Sequence, residues 1–458
     1  MIAWINVCVK SIMTRKSHLP KKALVRVLGC KVNQAEAEAM ARELESLGYC
    51  IEPTAGTPDV VVVNTCCVTS KAEGKSRRMV SGLAHKFPGA RMIVTGCLAE
   101  INPSSLESAA PGAVLLGAFA KDRLREFIDE AANHVSIVAD SGPSPCTTSV
   151  DRGLRTARNR ARAFLKVQDG CSQSCAYCIV PSARGPSRSL PLDQLLLCGR
   201  NMDSDGFAEI VLTGVHLGRY GRDFHPPMSL EDLLERLLEE CPSTRFRLSS
   251  VEPQEITPRL IELVASHRRV CPHFHIPLQS GDDNILRRMR RPYDTAFIRQ
   301  LIDRIFARVP QICIGLDIMV GFPGEDERSF RKTVTLIEGS GAAYLHVFPF
   351  SPRPGTPAAS FEPRVPEGIA RQRVKELRLL SQTLRHRFYK RFVGSTLSVV
   401  RESGPDPDTG FITARTDNYI AVLVGAAPGT TSKHTFPVTL ERVVGEKMFG
   451  AAATIDRK

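Results

Sequence analysis

From Ala23 onward the apolar positions alternate between short strand-like runs and helical spacings. Leu24 to Leu28 predicts a strand. Asn33 with Glu36 makes a capping-box-like helix start, Met40, Leu44 and Leu47 follow on one helical face, and Gly48 stops the helix. Asp59 to Asn64 holds four consecutive valines, the pattern of a strand covered on both faces. Ser70 and Glu73 open a second helix. Arg91 to Thr95 and Ala113 to Leu116 read as strands, and Asp122 to Ala132 as a helix. Such alternation predicts a doubly wound parallel sheet over residues 23–140.

Ser141 to Arg162 breaks the pattern. Pro143 and Pro145 precede Arg152, Arg155, Arg158, Arg160 and Arg162, so residues 141–162 read as a basic linker, with a solvated charge run as the plain alternative. A second β/α series starts at Phe164. Strands are predicted over Phe164 to Val167, Glu209 to Thr213, Phe246 to Ser250, His273 to Leu278, Ile312 to Val320 and Tyr344 to Pro349, with helices such as Leu230 to Glu240 and Thr295 to Val309 between them. Six β/α units in residues 163–390 predict an open, partial parallel barrel rather than an eight-stranded one. Pro366 to Arg391 is a basic helical connector. Beyond Val393, alternating runs (Leu397 to Val400, Phe411 to Ala414, Ile420 to Val424, Thr435 to Val443) lie between glycine and proline turns, which predicts a small all-β barrel over residues 391–455. The fold class expected is α/β, with that barrel appended.

Composition narrows the possibilities. At 458 residues the chain is too long for one ordinary domain. Apolar residues at 43% and charged residues at 24% exclude a largely disordered chain. No run approaches the roughly 18 uncharged apolar residues of a membrane span. The net charge of +13 points to a polyanionic partner such as RNA. Fourteen cysteines are too few for a disulfide scaffold of this length, and their placement beside glycines suggests reduced thiols in a cytoplasmic protein. Residues 1–22 read as an N-terminal extension. Met1 to Ile12 is apolar but lacks the basic start and small-residue cleavage site of a signal peptide, and Met13 offers a second start.

The sharpest chemical signal is Cys171-Ser-Gln-Ser-Cys175-Ala-Tyr-Cys178, just after the first predicted barrel strand. Three thiolates at this spacing can hold three irons of a [4Fe–4S] cube and leave the fourth open, and an open iron can chelate the amino and carboxylate groups of S-adenosylmethionine. Structural zinc would want a fourth Cys or His close in sequence, and none is there. Cys30, Cys66 and Cys97 are distant from one another, but each follows a predicted strand of the first sheet, where strand ends share one edge. They can hold a second cluster, with Gly29 and Gly96 allowing close backbone approach. The competing reading is three small buried apolar residues.

Together these segments resemble the methylthiotransferase family of radical S-adenosylmethionine enzymes, from about Ala23 to Gly450. The resemblance includes Ile179-Val-Pro181-Ser-Ala-Arg184-Gly185, Leu212-Thr213-Gly214-Val215, His275-Ile-Pro-Leu-Gln279-Ser280-Gly281, Asp317-Ile-Met-Val-Gly321-Phe-Pro323-Gly324-Glu325 and Phe350-Ser-Pro-Arg353-Pro-Gly355-Thr356. The terminal barrel looks like the family's RNA-binding TRAM domain. Gly29-Cys30-Lys31-Val32-Asn33-Gln34 and Asn64-Thr-Cys66-Cys67-Val68-Thr69 resemble the branch acting on threonylcarbamoyladenosine in tRNA. The isopentenyladenosine branch usually has Gly-Cys-Gln-Met-Asn and the ribosomal-protein branch Gly-Cys-Pro-Lys-Asn. The chain departs from the family at Leu190, where Arg-Ser-Arg is common, and at Cys67, where a non-cysteine is usual, which leaves ligation at 66 or 67 open.

The resemblance implies methylthiolation of C2 of N6-threonylcarbamoyladenosine at position 37, in the tRNA anticodon loop, with two [4Fe–4S] clusters and S-adenosylmethionine. It also implies a reductant such as flavodoxin or ferredoxin and an unspecified sulfur donor. Alternatives are an isopentenyladenosine tRNA, a ribosomal-protein aspartate, or a non-catalytic RNA-binding protein. Tyr177 is expected beside the adenine, and Thr213, Gly214 and Glu209 at a strand-end site for the amino group of S-adenosylmethionine. Gly218-Arg-Tyr-Gly221 lacks a nucleotide fingerprint. His216, His273 and His275 read as core or hydrogen-bonding residues rather than ligands. Residues 364–391 hold nine basic and two acidic residues, whereas residues 394–458 hold seven of each, so phosphate contacts are expected on the arginine clusters. These are Arg287, Arg288, Arg290, Arg291, Arg385 and Arg387. Phe411, Tyr419, Phe436 and Phe449 read mostly as barrel packing.

Overall fold

Val60 to Val63 show how the first sheet is built. Val61 and Val63 face one apolar cluster, Val60 and Val62 the other, and all four are fully buried between two helical layers. The computed structural model describes residues 21–51, 56–118, 120–128, 137–138, 161–425 and 435–452. Most of the N-terminal extension and of the basic linker, with Arg152, Arg155, Arg158 and Arg160, lies outside the described residues.

The first sheet contains β1 (Lys22–Val27), β2 (Cys50–Ile51), β3 (Val60–Thr65), β4 (Arg91–Gly96), β5 (Val114–Leu116) and β6 (Ile137–Val138) in the order β2-β1-β3-β4-β5-β6, all parallel. Helices α1 (Lys31–Ser46), α2 (Ser70–Lys86), α3 (Cys97–Ile101) and α4 (Pro103–Glu107) connect the early strands. Two expectations are corrected. Asn33 and Glu36 do not cap α1, whose N-cap is Cys30 with no side-chain bond; both turn inward and are buried. The expected helix at 122–132 is a 3-10 turn, Lys121–Phe127, in its described part.

The second series holds β7 (Arg162–Asp169), β8 (Arg188–Ser189), β9 (Glu209–Gly214), β10 (Arg245–Leu248), β11 (His273–Gln279), β12 (Cys313–Val320) and β13 (Tyr344–Pro349). β7, β9 and β10 are parallel neighbours, and so are β11, β12 and β13. Parallel bridges from Phe246 to Val270 and from Ser250 to His275 join the two groups into an open six-stranded arc, with the short β8 antiparallel at its edge. The short α5 (Val180–Arg184) packs against α3 of the first unit, and the outer wall of the arc includes α6 (Leu192–Ser204), α7 (Leu230–Glu240), α8 (Pro258–Ser266), α9 (Asp283–Arg288), α10 (Thr295–Arg308), α11 (Glu327–Gly339) and α12 (Glu367–Lys390). Ser229 and Asp232 form a true capping box on α7.

α12 leads into a closed barrel of β14 (Thr396–Pro405), β15 (Ile412–Thr416), β16 (Ala421–Val424), β17 (Phe436–Val444) and β18 (Lys447–Ala452). The pattern did not predict β18. Its Gly450 lies against β17, where a Cβ would stand 2.6 Å from Val438 Cγ1, so packing rather than side-chain alternation defines that strand.

The small barrel is clamped to the arc at the N-terminal ends of its strands. Glu209, fully buried, accepts from Arg245 Nε and from Arg247 Nε and Nη2, each at 2.8 Å. The same arginines donate to carbonyls of the barrel: Arg245 to Ser398 and Arg415, Arg247 to Asp417 and Thr416. Burial alone would raise the Glu209 carboxyl; Arg247 and Arg245 outweigh it and hold it well below the ordinary carboxylate range. Glu209→Gln leaves two buried guanidiniums without a counter-charge and should destabilise the protein by roughly 3–5 kcal/mol at pH 7, measured by urea unfolding followed by circular dichroism. A depressed folded pKa gives stability that is present above the unfolded value of about 4.3 and lost as pH falls toward the folded one. The gap between wild type and variant should therefore shrink below about pH 5; a gap that widens on acidification contradicts this account.

Candidate functional site

The first cysteine group follows β7. Gly170 has φ 69°, and a Cβ there would stand 1.9 Å from the Pro186 carbonyl oxygen, so only glycine admits this turn. Gln168 is fully buried and fastens the loop. Its Nε2 donates to the carbonyls of Asp169 (2.8 Å) and Gly170 (2.7 Å) and to Ser187 Oγ (2.9 Å), while its Oε1 accepts from the backbone N–H of His216 at 2.7 Å. The cysteine loop is thereby strapped to the C-terminal end of β9.

Two thiols of this group have a defined side-chain neighbour. Cys171 Sγ lies 3.5 Å from His216 Nδ1, and His216 Nε2 lies 2.8 Å from Glu255 Oε1. Burial would lower the imidazole pKa, but these contacts outweigh it and hold it at about 9. Cys175 Sγ accepts from Arg291 Nη1 at 3.3 Å. Burial pushes Cys178 up to about 12 and raises Cys175; repulsion from Cys171 adds to both, and repulsion from Cys175 adds to the shift of Cys178. Tyr177, between the last two, packs edge-on against Phe322 at 6.5 Å.

The second group stands at the C-terminal edge of three adjacent strands, after β1, β3 and β4. Cys30 is the N-cap of α1 and Cys97 begins α3. Gly29 and Gly96 both have positive φ, 115° and 100°. A Cβ on Gly29 would lie 3.2 Å from Cys66 Sγ, and one on Gly96 would lie 2.4 Å from Asn64 Oδ1. Burial raises Cys66 to about 12, with Cys97 and Cys30 adding to the shift. Cys67 Sγ donates to the Cys97 carbonyl at 3.3 Å, inside an apolar cluster with Val61 and Leu98.

Arg184, at the end of α5, joins the groups. It is 2% exposed. Its Nε donates to Cys97 Sγ at 3.2 Å, Nη1 to Glu36 and Asp169 at 2.9 Å each, and Nη2 to Asn33 Oδ1 at 2.6 Å. Lys121 and Lys166 add ion pairs to Glu36 at 2.8 and 3.2 Å. Burial opposes ionisation of Glu36 and Asp169, yet Arg184 foremost holds both carboxyls below their usual range. A second link between the two parts runs from Arg353 to Glu73 at 2.5 Å and from Ser351 to Ser70.

Of the other expected residues, buried Thr213 and half-buried Gly214 lie beside the end of β7 that leads into the cysteine loop, with Gly214 directly against Gln168. Glu209 does not. It begins β9, at the opposite end, and both its oxygens are taken by arginines. Arg291 is not a surface cation either: it is buried and donates to Cys175, Tyr293 Oη and Glu252. Arg287, Arg288, Arg290 and Arg387 are exposed, and Arg385 pairs with Glu446 at 2.5 Å. Sequence reasoning assigned no role to Gln168 or Arg184 and read Glu36 only as part of a helix cap. The one available signal was Arg184 in the run after Cys178.

The donor sets fit iron–sulfur clusters. Each brings three thiols together beside glycines that leave no room for a Cβ, and a guanidinium donates to one sulfur of each group, which suits an anionic thiolate-ligated centre. The upward shifts describe free thiols; iron binds the thiolate.

Comparison with known proteins gives concordant results. The uncharacterized protein family UPF0004 matches residues 22–117, and the radical SAM superfamily matches residues 165–337. The chain is 35% identical to the threonylcarbamoyladenosine tRNA methylthiotransferase of Thermotoga maritima over 83% of this chain and 87% of that one. It is 34% identical to the Bacillus subtilis enzyme of the same name, over 86% and 88%. Identity to the tRNA-2-methylthio-N(6)-dimethylallyladenosine synthase of Pelotomaculum thermopropionicum is 30%, over 92% and 95%. Among solved structures, the radical S-adenosylmethionine methyltransferase TsrM from Kitasatospora setae shares the fold, with TM-score 0.54 and 14% identity over 74% of this chain and 77% of that one. With identity sustained over most of both chains, and with its three-cysteine loop at the strand ends of an open six-stranded barrel, the chain belongs to the radical S-adenosylmethionine methylthiotransferases.

Proposed function

We propose that the enzyme transfers a methylthio group to C2 of N6-threonylcarbamoyladenosine at position 37 of tRNA, with one [4Fe–4S] cluster on Cys171, Cys175 and Cys178 and a second on Cys30, Cys66 and Cys97. The observation that carries this reading is the pair of thiol triplets on two facing sheets, joined by the single guanidinium of Arg184. The substrate branch is supported by the names of the relatives at 32–35% identity.

When bound, the clusters supply what no side chain can: an electron to cleave S-adenosylmethionine for attack on an inert C–H bond, and the sulfur delivered to it. The chain supplies position. Gln168 fixes the Cys171 loop against Gly214 and His216, where the amino acid end of S-adenosylmethionine would lie. Tyr177, Phe322 and Phe350 form an apolar patch suited to adenine. Arg184 and the pair Arg353–Glu73 hold the two sheets in register. The exposed Arg287, Arg288, Arg290 and Arg387 are available to tRNA phosphates, while the anticodon loop offers single-stranded bases that can be turned outward.

Anaerobically reconstituted enzyme should bind about eight irons per chain, and alanine at Cys171, Cys175 and Cys178 together should reduce this to about half. Loss of all iron, or of none, would contradict independent sites. Nucleosides of tRNA from a strain lacking the protein should show threonylcarbamoyladenosine without its 2-methylthio form; a normal 2-methylthio level would remove the substrate assignment.

Cys66→Ala should lose the second cluster. Cys67→Ala, which shortens a side chain packed under α3, should keep its iron and most of its activity. The reverse result would transfer the ligand role to Cys67.

A further inference from the structure

Helix α9 ends in a tight turn. The backbone N–H of Arg290 donates to the Arg287 carbonyl at 3.0 Å and that of Arg291 to the Leu286 carbonyl at 2.9 Å, the double closure of a helix C-terminus. Glycine is the usual residue at the left-handed position of such a turn; here it is Arg290, at φ 58°. A side chain held in that conformation is strained, and strain of this kind clusters where a neighbouring group has to be aimed.

The group aimed is Arg291, which is 7% exposed. Its Nε donates to Tyr293 Oη at 2.8 Å, Nη2 to the Pro277 carbonyl at 3.2 Å and to Glu252, and Nη1 to Cys175 Sγ at 3.3 Å. Tyr293 Oη donates in turn to the same Pro277 carbonyl at 2.7 Å, so the guanidinium is fixed to β11. The turn also holds the cysteine loop through its backbone: the N–H of Ala176 donates to the Met289 carbonyl at 3.0 Å. Packing alone does not call for a cation here, because Ala176 already lies in an apolar cluster with Ile285, Met289 and Phe322.

We propose that Arg291 is a positioning residue that sets the reduction potential of the cluster on Cys171, Cys175 and Cys178, and that Glu252 moderates its charge. The proposal rests on the cluster assignment made above. A guanidinium keeps its proton at every working pH, so its charge and its N–H···S bond are both permanent. A cluster that gains an electron has more negative sulfurs. A fixed donor and a fixed positive charge at Cys175 therefore favour the reduced form and raise the potential. Glu252 acts in the opposite sense, because its carboxylate offsets part of that charge. A lysine would keep the charge, but its single ammonium lacks the planar fork that reaches Tyr293, Pro277, Glu252 and Cys175 at once.

The test uses the full-length chain with alanine at Cys30, Cys66 and Cys97, so that one cluster gives the signal. This parent is reconstituted anaerobically and poised at a series of potentials, and the reduced fraction is read by electron paramagnetic resonance. At the parent's midpoint, Arg291→Met should lower the ratio of reduced to oxidised cluster roughly tenfold, a shift of about 59 mV to more negative potential for a one-electron couple. Glu252→Gln should move the midpoint the other way. Arg291→Lys should fall between Arg291→Met and the parent. A merely structural role would change iron content without shifts of opposite sign. Midpoints of Arg291→Met and Glu252→Gln that match the parent's at parental iron content, or that move in the same direction, overturn the inference. If Arg291→Met takes up no iron, Glu252→Gln decides: a less negative midpoint supports the inference, and an unchanged or more negative one overturns it. A parent that holds no iron removes the assignment of a cluster to Cys171, Cys175 and Cys178, and the inference with it.

Discussion

Arg184 fixes the relation between the two sheets. One guanidinium donates to Cys97 at the edge of the first sheet, to Asn33 and Glu36 on α1, and to Asp169 at the end of β7. The fork geometry of arginine lets one side chain satisfy four partners in fixed directions, which a lysine in its place would not do. Every element that carries a candidate ligand is tied to it by at most a few residues: Cys30 through α1, Cys66 through Asn33, which donates to the Thr65 carbonyl, Cys97 directly, and Cys171 through Asp169 and Gly170.

The two ends of the arc do different work. At the C-terminal end, glycines and Gln168 permit and fasten a tight loop of thiols. At the N-terminal end, Glu209, Arg245 and Arg247 bind carbonyls of the small barrel and close the lumen from below, where Arg247 also stacks at 5.1 Å on Tyr419. The lumen between holds His273, His275, Asp317 and Tyr344, polar groups projecting from strands that an apolar core would otherwise fill. This inward polar row, rather than the outer helices, distinguishes a strand arc built around a substrate from one built only to pack.

Much of this was legible in the sequence because local rules fixed it. The valines of β3 could only be a covered strand, and the bounds of Leu230–Glu240 follow from Ser229 and a sharp amphipathic stripe. The cysteine spacing stated its own chemistry. What was not legible came from long-range pairing. Asn33 and Glu36 look like a local cap, yet their partners are Leu28, Thr65 and Asn64, with Arg184 more than a hundred positions away. Glu209 looks like a strand-end acid until its strand is given a direction: it opens β9, so it belongs to the opposite end from Gly214. Arg291 reads as one of a surface cluster, but the neighbouring Arg290, at φ 58°, turns the chain and sends it inward to Cys175.

The charged character of the Arg184 node follows from what it must do. Burying Glu36, Asp169, Lys121, Lys166 and Arg184 together incurs a desolvation cost that their mutual attraction barely offsets, and a well-packed apolar contact of the same volume would be at least as stable. An apolar contact, however, tolerates sliding, because dispersion has no preferred direction. Hydrogen bonds of 2.6 to 2.9 Å to Asn33, Glu36 and Asp169 do not. Under the proposed function, two thiol groups that act on one base would need fixed separation more than they need stability. The directional contact meets that need, and it also places a permanent cation on Cys97, where an apolar side chain would leave an anionic sulfur unaccompanied.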